Sequence, residues 1–171
     1  KALICLEELG LPYTLKPVDL GKGEQFDAAF LAISPNNKIP ALVDHDAEGG
    51  PLSLFESGAI LEYLADKTGR LLPEDRRARF LPKQWLYWQV GGFGPMAGQT
   101  HHFRAFAPEK VPYAIRRYTD EMNRLYGVFD QQLQDSDYIA GNYSIADIAC
   151  WPWVVPHERQ GQSLDDFPNV K

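Results

Sequence analysis

The stretch Ile33-Ser34-Pro35-Asn36-Asn37-Lys38-Ile39-Pro40-Ala41-Leu42-Val43-Asp44, with Gly49-Gly50-Pro51-Leu52-Ser53-Leu54-Phe55-Glu56-Ser57-Gly58 after it, decides how the first part of this 171-residue chain folds. Ser34 to Lys38 is turn chemistry. Residues 39–44 and 51–55 are short apolar-rich runs bracketing Gly49-Gly50, which predicts a hairpin. Ile60, Leu61 and Leu64 then share one face of a helix over 58–67. Upstream, Ala2, Leu3, Cys5, Leu6 and Leu9 form a helical stripe that Gly10 stops. Tyr13 to Val18 reads as a short strand, with Pro17 hinting at an edge. Phe26, Phe30 and Leu31 suggest a short helix over 26–33. The order is α-β-α-β-β-α. One further strand ahead of Lys1 completes a parallel pair and a crossover beside the hairpin.

Gly69–Asp75, with Pro73, reads as a linker, and only helical patterns follow it. Over 112–133, Ile115, Tyr118, Met122, Leu125, Phe129 and Leu133 form one stripe, with Pro112 in the first turn. Arg116/Asp120, Arg117/Glu121 and Asp120/Arg124 are spaced for ion pairs on the opposite face. The expected organisation is therefore residues 1–70 as a mixed α/β domain and 76–171 as an all-helical domain. The first residue, Lys1, already lies in a helical pattern, and Asp166 to Lys171 reads as a polar segment with Pro168 that leads onward, so the sequence reads as an excerpt truncated at both ends.

A formal net charge of −6 with no Lys/Arg run argues against nucleic acid or an anionic membrane as partner. No apolar run is long enough for a spanning helix. Two cysteines, Cys5 and Cys150, without a CxxC, make no disulfide framework and suit a reducing compartment such as the cytoplasm.

Three local patterns carry chemistry. Pro40 follows Ile39 just before a strand; a cis bond there exposes the Ile39 main chain to a peptide-like ligand, whereas the plain alternative is a loop proline. Glu56-Ser57 stands at a strand-to-helix junction, with Ser57 as expected N-cap. Free N–H groups at a helix start suit a carboxylate, and Glu56 suits an ammonium; alone, the pair also reads as a cap beside a solvated glutamate. Ser144-Ile145-Ala146-Asp147 is a capping box, with Tyr143 and Ile148 as a staple, opening an apolar helix over 145–153 that ends near Pro152 to Pro156. Pro40, Ser144 and Asp147 are thus structural.

These three, in this order and spacing, resemble the glutathione transferase family over the whole chain. Val18 to Phe26, Ile33 to Pro40, Gly91-Gly92-Phe93-Gly94-Pro95-Met96, Gln99 to Phe103 and Pro112 to Tyr118 resemble its Nu class, the bacterial glutathione-dependent disulfide-bond oxidoreductases related to the yeast nitrogen-regulation prion protein. The resemblance implies a thioredoxin-like N-terminal domain, its first strand outside this chain, followed by a helical domain. It implies glutathione as co-substrate: Gln25 and Lys38 at the glycine end, the Ile39 main chain along the cysteinyl part, Glu56 and Ser57 at the γ-glutamyl end. It implies a homodimer in which Arg117 reaches the neighbouring subunit's ligand; the alternative for Arg117 is pairing with Glu121. The residues facing the glutathione sulfur, a threonine and an asparagine in this class, are expected before Lys1, so the catalytic residues are unknown here.

The implied activity is disulfide exchange by bound glutathione thiolate or glutathione disulfide. Its alternatives are conjugation of electrophiles and a non-catalytic regulatory role. Cys5 and Cys150 sit in apolar helical patterns, which predicts buried, inert thiols. His101 and His102 point apart on a helix with no third ligand near in sequence, so no metal is expected. With Phe103 they are placed instead at a substrate cleft, after a bend over 91–98. Trp85 and Trp88 are expected in the core.

Overall fold

The computed structural model describes residues 1–171, which divide into two compact units, Lys1–Arg70 and Leu71–Lys171. In the first, α1 (Ala2–Leu9) buries Cys5, Leu6 and Leu9 and ends at Gly10, whose φ of 67° only glycine adopts freely. The Arg70 guanidinium donates to the Leu9 and Glu8 carbonyls at 3.1 and 2.9 Å, a cation on carbonyls that the helix end leaves over. A 3-10 turn (Glu24–Phe26) and α2 (Ala28–Leu31) replace the single helix expected over 26–33; Asp27 between them has extended backbone (ψ 139°). The hairpin forms: β1 (Ala41–Asp44) and β2 (Leu52–Phe55) are antiparallel, with Ala41 opposite Phe55 and Asp44 opposite Leu52. Next comes α3 (Ser57–Thr68), which buries Ile60, Leu61, Leu64 and Ala65 and packs on α1. At the far end of the hairpin the Asp44 carboxylate accepts from the Tyr63 hydroxyl at 2.6 Å and from the Lys67 ammonium.

Tyr13 to Val18 is not a strand. A strand exists only through a ladder partner, and these residues hydrogen-bond to no neighbouring strand.

The second unit begins with an unbroken helical run: α4 (Phe80–Trp88), a π-helical turn (Gln89–Phe93), α5 (Gly94–His101) and a second π-helical turn (His102–Phe106). No loop interrupts the helix over 91–98; its first residues lie in the π-helical turn, a usual place for a helix to kink. At Gly94 a Cβ would fall 2.9 Å from the Trp153 indole nitrogen and 3.1 Å from the Gln89 carbonyl, closer still to the buried Gln89 amide. The glycine there serves helix contact rather than a turn. In α6 (Pro112–Gln132), Met122, Leu125, Tyr126 and Phe129 are buried. Of its expected charge pairs none forms at four-residue spacing: Arg124 donates to Glu121, three residues away, at 2.7 and 2.8 Å.

The capping box is present. Ser144 Oγ accepts from the Ala146 N–H at 3.2 Å, and Asp147 accepts from the Ser144 N–H at 2.9 Å. Asp147 also accepts from the Ile139 N–H at 3.0 Å, and the Leu71 carbonyl from the first helical N–H, Ile145, at 3.2 Å. The helix it opens, α7 (Ile145–Val154), ends between Pro152 and Pro156 as expected, with Pro152 inside its last turn. Ile148, Ala149, Cys150 and Val154 are buried on both sides of the proline, and that burial outweighs the loss of one backbone bond. The core gathers aromatic rings: Phe93 lies 5.0 Å from Trp88, 5.2 Å from Tyr126 and 5.8 Å from Phe129. Each such pair contributes about 0.5–1.5 kcal/mol beyond its buried area. Trp85 packs against the same cluster.

Candidate functional site

In the first unit the ladder register brings the expected residues together. Ala41 and Phe55 are the last paired residues, so Ile39-Pro40 enters β1 at the end where Glu56-Ser57 leaves β2. The Ile39–Pro40 bond is cis. Ile39 is 53% exposed, and neither its N–H nor its C=O bonds within the chain. Lys38 and Glu56 are exposed, and neither side chain has a partner. Glu56 holds φ 70° and ψ 117°, a conformation that costs a non-glycine residue about 1–3 kcal/mol and recurs where ligands are gripped.

One expectation is corrected here. Glu56, not Ser57, occupies the N-cap position, and Ser57 is the first helical residue. The positive φ at Glu56 starts the helix one residue early. Ser57 therefore caps nothing, and its hydroxyl and N–H remain available beside the free N–H groups of Gly58 and Ala59. Four residues thus lie at one end of the hairpin: Ile39 with an open main-chain edge, Ser57 at a positive helix start, Glu56 with a carboxylate and Lys38 with an ammonium. They match the edge, carboxylate and ammonium of a small zwitterionic peptide. Gln25 stands in the 3-10 turn, and its Oε1 is buried with no hydrogen-bond donor. The turn is held by Glu24, whose carboxylate accepts from the Asp19 N–H at 2.7 Å.

Sequence reasoning missed Ser34. It is fully buried, and its hydroxyl donates to the Lys38 carbonyl at 2.9 Å. Its own carbonyl accepts from the Asn37 N–H at 2.9 Å, with Asn37 at φ 49°. The signal was a serine opening a Ser-Pro-Asn-Asn turn, a residue type that bonds to nearby backbone.

In the second unit Arg117 is exposed on a surface groove of about 470 Å³, lined also by Met96, Tyr113, Arg116, Tyr118 and Glu121. Arg124 makes the close contact with the Glu121 carboxylate and, with the Arg117 charge nearby, holds it below the usual range. His101 and His102 diverge. His102 is exposed, edge-on to Phe103, which stacks on Tyr118. His101 packs against Trp153 and bonds to the Pro156 backbone; burial and the nearby Arg159 lower its pKa. No group of three His, Cys, Asp or Glu side chains is placed to hold a metal ion. No helix is long and apolar enough to cross a membrane.

Both thiols are buried. Burial pushes the Cys5 thiol up to about 11, so at neutral pH only about one in 10⁴ molecules carries a thiolate there.

Residues 1–67 match the family model for the glutathione S-transferase N-terminal domain. Along its whole length the chain is 59% identical, over 174 aligned residues, to the disulfide-bond oxidoreductase YfcG of Escherichia coli (strain K12), and it spans 81% of that protein. The chain belongs to the glutathione transferase family. It has that family's fold, a thioredoxin-like N-terminal domain and then a helical one, with two strands in this chain. A glutathione transferase family member from Pseudomonas fluorescens pf-5, solved with two glutathione bound, superposes with a TM-score of 0.91 at 46% identity, over 98% of this chain and 78% of that one. A glutathione transferase from Pseudomonas putida, solved with one glutathione disulfide per subunit, gives 0.92 at 43%, over 98% and 76%.

Proposed function

We propose that this chain is a glutathione-dependent disulfide-bond oxidoreductase that binds the tripeptide on the Ile39/Glu56 rim and uses its thiol, not a protein thiol, for exchange. The observation that carries the reading is the hairpin register, which sets an unused main-chain edge beside the Glu56-Ser57 helix start. Lys38 and Gln25 hold the glycine carboxylate, Ile39 runs along the cysteinyl part, and Glu56 and Ser57 hold the γ-glutamyl amino acid. The 59% identity to the disulfide-bond oxidoreductase YfcG supports the reaction class.

The chemistry balances without the chain's cysteines. A glutathione thiolate attacks one sulfur of a small disulfide. The new S–S bond forms as the old one breaks, and the displaced thiolate takes up a proton. A second glutathione thiolate attacks the mixed disulfide, leaving glutathione disulfide and a second thiol. Two glutathiones are oxidised and one disulfide is reduced. Cys5, protonated and buried, takes no part.

The assembly we propose is a homodimer in which Arg117, which makes no close contact with Glu121, reaches the ligand held by the other subunit. The two buried cysteines, which form no disulfide, suit the cytoplasm. Calorimetry with reduced and oxidised glutathione on the full-length protein, with turnover of a dialkyl disulfide on the same sample, tests the reading. Binding with turnover is expected. Binding with conjugation of an electrophile and no disulfide turnover points to the conventional transferase reaction. Binding of neither form sinks the proposal in favour of a regulatory role.

A further inference from the structure

We propose that Ser34 is a positioning residue for glutathione: its hydroxyl fixes the plane of the Lys38–Ile39 peptide and so aims the Ile39 N–H at the ligand. The inference rests on the glutathione reading above.

The geometry is that of one rigid unit. The Lys38 carbonyl and the Ile39 N–H belong to a single peptide group, which is planar. That bond is trans, since the cis bond lies one residue later. In a trans peptide C=O and N–H point in opposite directions. Ser34 is fully buried, and its Oγ holds the Lys38 oxygen at 2.9 Å. With the oxygen anchored inward, the Ile39 N–H points away from the core. It has no acceptor in the chain, and Ile39 is 53% exposed. The Ser34 carbonyl adds a second anchor through the Asn37 N–H at 2.9 Å. The donor is thus set before the ligand arrives, and little ordering cost is left to binding. Removing the hydroxyl frees the plane to rotate and leaves a carbonyl without its buried donor.

The experiment uses full-length protein and two ligands: glutathione, and an analogue whose cysteinyl–glycine carbonyl is reduced to a methylene, so that it offers the Ile39 N–H no acceptor. For Ser34→Ala the expected result is a fivefold to tenfold rise, roughly, in Kd and KM for glutathione. The expected kcat at saturation and KM for the disulfide are unchanged, and affinity for the analogue stays at the wild-type value. Ser34→Thr, which keeps the hydroxyl, restores glutathione binding. Equal weakening of both ligands, or of neither, overturns the proposal. Wild-type protein that binds no glutathione overturns the underlying reading instead. Should Ser34→Ala fail to fold, hydrogen exchange on the wild type decides: the Ile39 amide is expected to be protected by glutathione and not by the analogue. An amide that exchanges equally fast in both complexes overturns the assignment.

Discussion

The interior of the helical unit and the rim of the first unit treat polar groups in opposite ways. Around α7 most of them find partners within the chain, although His101 Nε2 and the Thr119 hydroxyl are buried without one. The Tyr126 hydroxyl donates to Gln160 at 2.9 Å, the Gln160 amide to the Trp153 carbonyl at 2.6 Å, and the Gln162 amide to the Thr119 carbonyl at 3.1 Å. Asp147 collects several donors at once. Along the rim, the Ile39 main chain, the Lys38 ammonium and the Glu56 carboxylate are left over, on a backbone bent into unfavourable φ at Glu56. Closed networks specify a fold, and open groups on a fixed backbone specify a ligand.

The contrast breaks first at Asp147. Asp147→Ala strips acceptors from the Ile139 and Ser144 N–H groups and is expected to destabilise the helical unit by about 2–4 kcal/mol in denaturant unfolding. A loss below about 1 kcal/mol would mean that water replaces the carboxylate and the network is not closed. Gly94→Ala comes next, at about 1–3 kcal/mol, because a methyl there meets a buried amide, an indole and a backbone oxygen. A wild-type melting temperature for that variant would contradict the close contact of α5 with Trp153.

On the rim the sign reverses. Glu56→Gly relieves the positive φ and is expected to leave stability unchanged or raise it by up to about 1 kcal/mol, while glutathione affinity falls about tenfold. Destabilisation with intact binding would show Glu56 to be structural after all. The smallest effect is at the hairpin's far end. Lys67 and Tyr63 hold the Asp44 carboxyl down to about 2. Because that folded value lies below the unfolded one, the contribution is complete above about pH 4 and fades as pH falls towards 2. In acid titrations of stability, Asp44→Asn is expected to flatten that stretch of the curve; an unaltered slope would show that the pair is screened by solvent.

Much of this was readable in the residues. Gly10 and Gly49-Gly50 punctuated the right places, and the 112–133 stripe and the Ser144/Asp147 box lie where local chemistry puts them. What stayed hidden depends on neighbours distant in sequence. Tyr13 to Val18 has strand composition but no ladder partner. The π-helical turns at 89–93 and 102–106 have no residue signature. At the site, the residue types at 38, 39, 56 and 57 were legible. The conformation that makes Glu56 the cap, and the anchoring of Lys38 by Ser34, required coordinates.

The Cys5 thiol, buried and held near 11, has one more implication. On the reading proposed here, every electron exchanged resides on diffusible molecules. The polypeptide finishes each cycle in the chemical state in which it began, and no partner is needed to reset it. Its direction of travel is then set from outside, by the ratio of reduced to oxidised tripeptide in the surrounding solution, so one unmodified chain reduces disulfides in a reducing pool and forms them in an oxidising one.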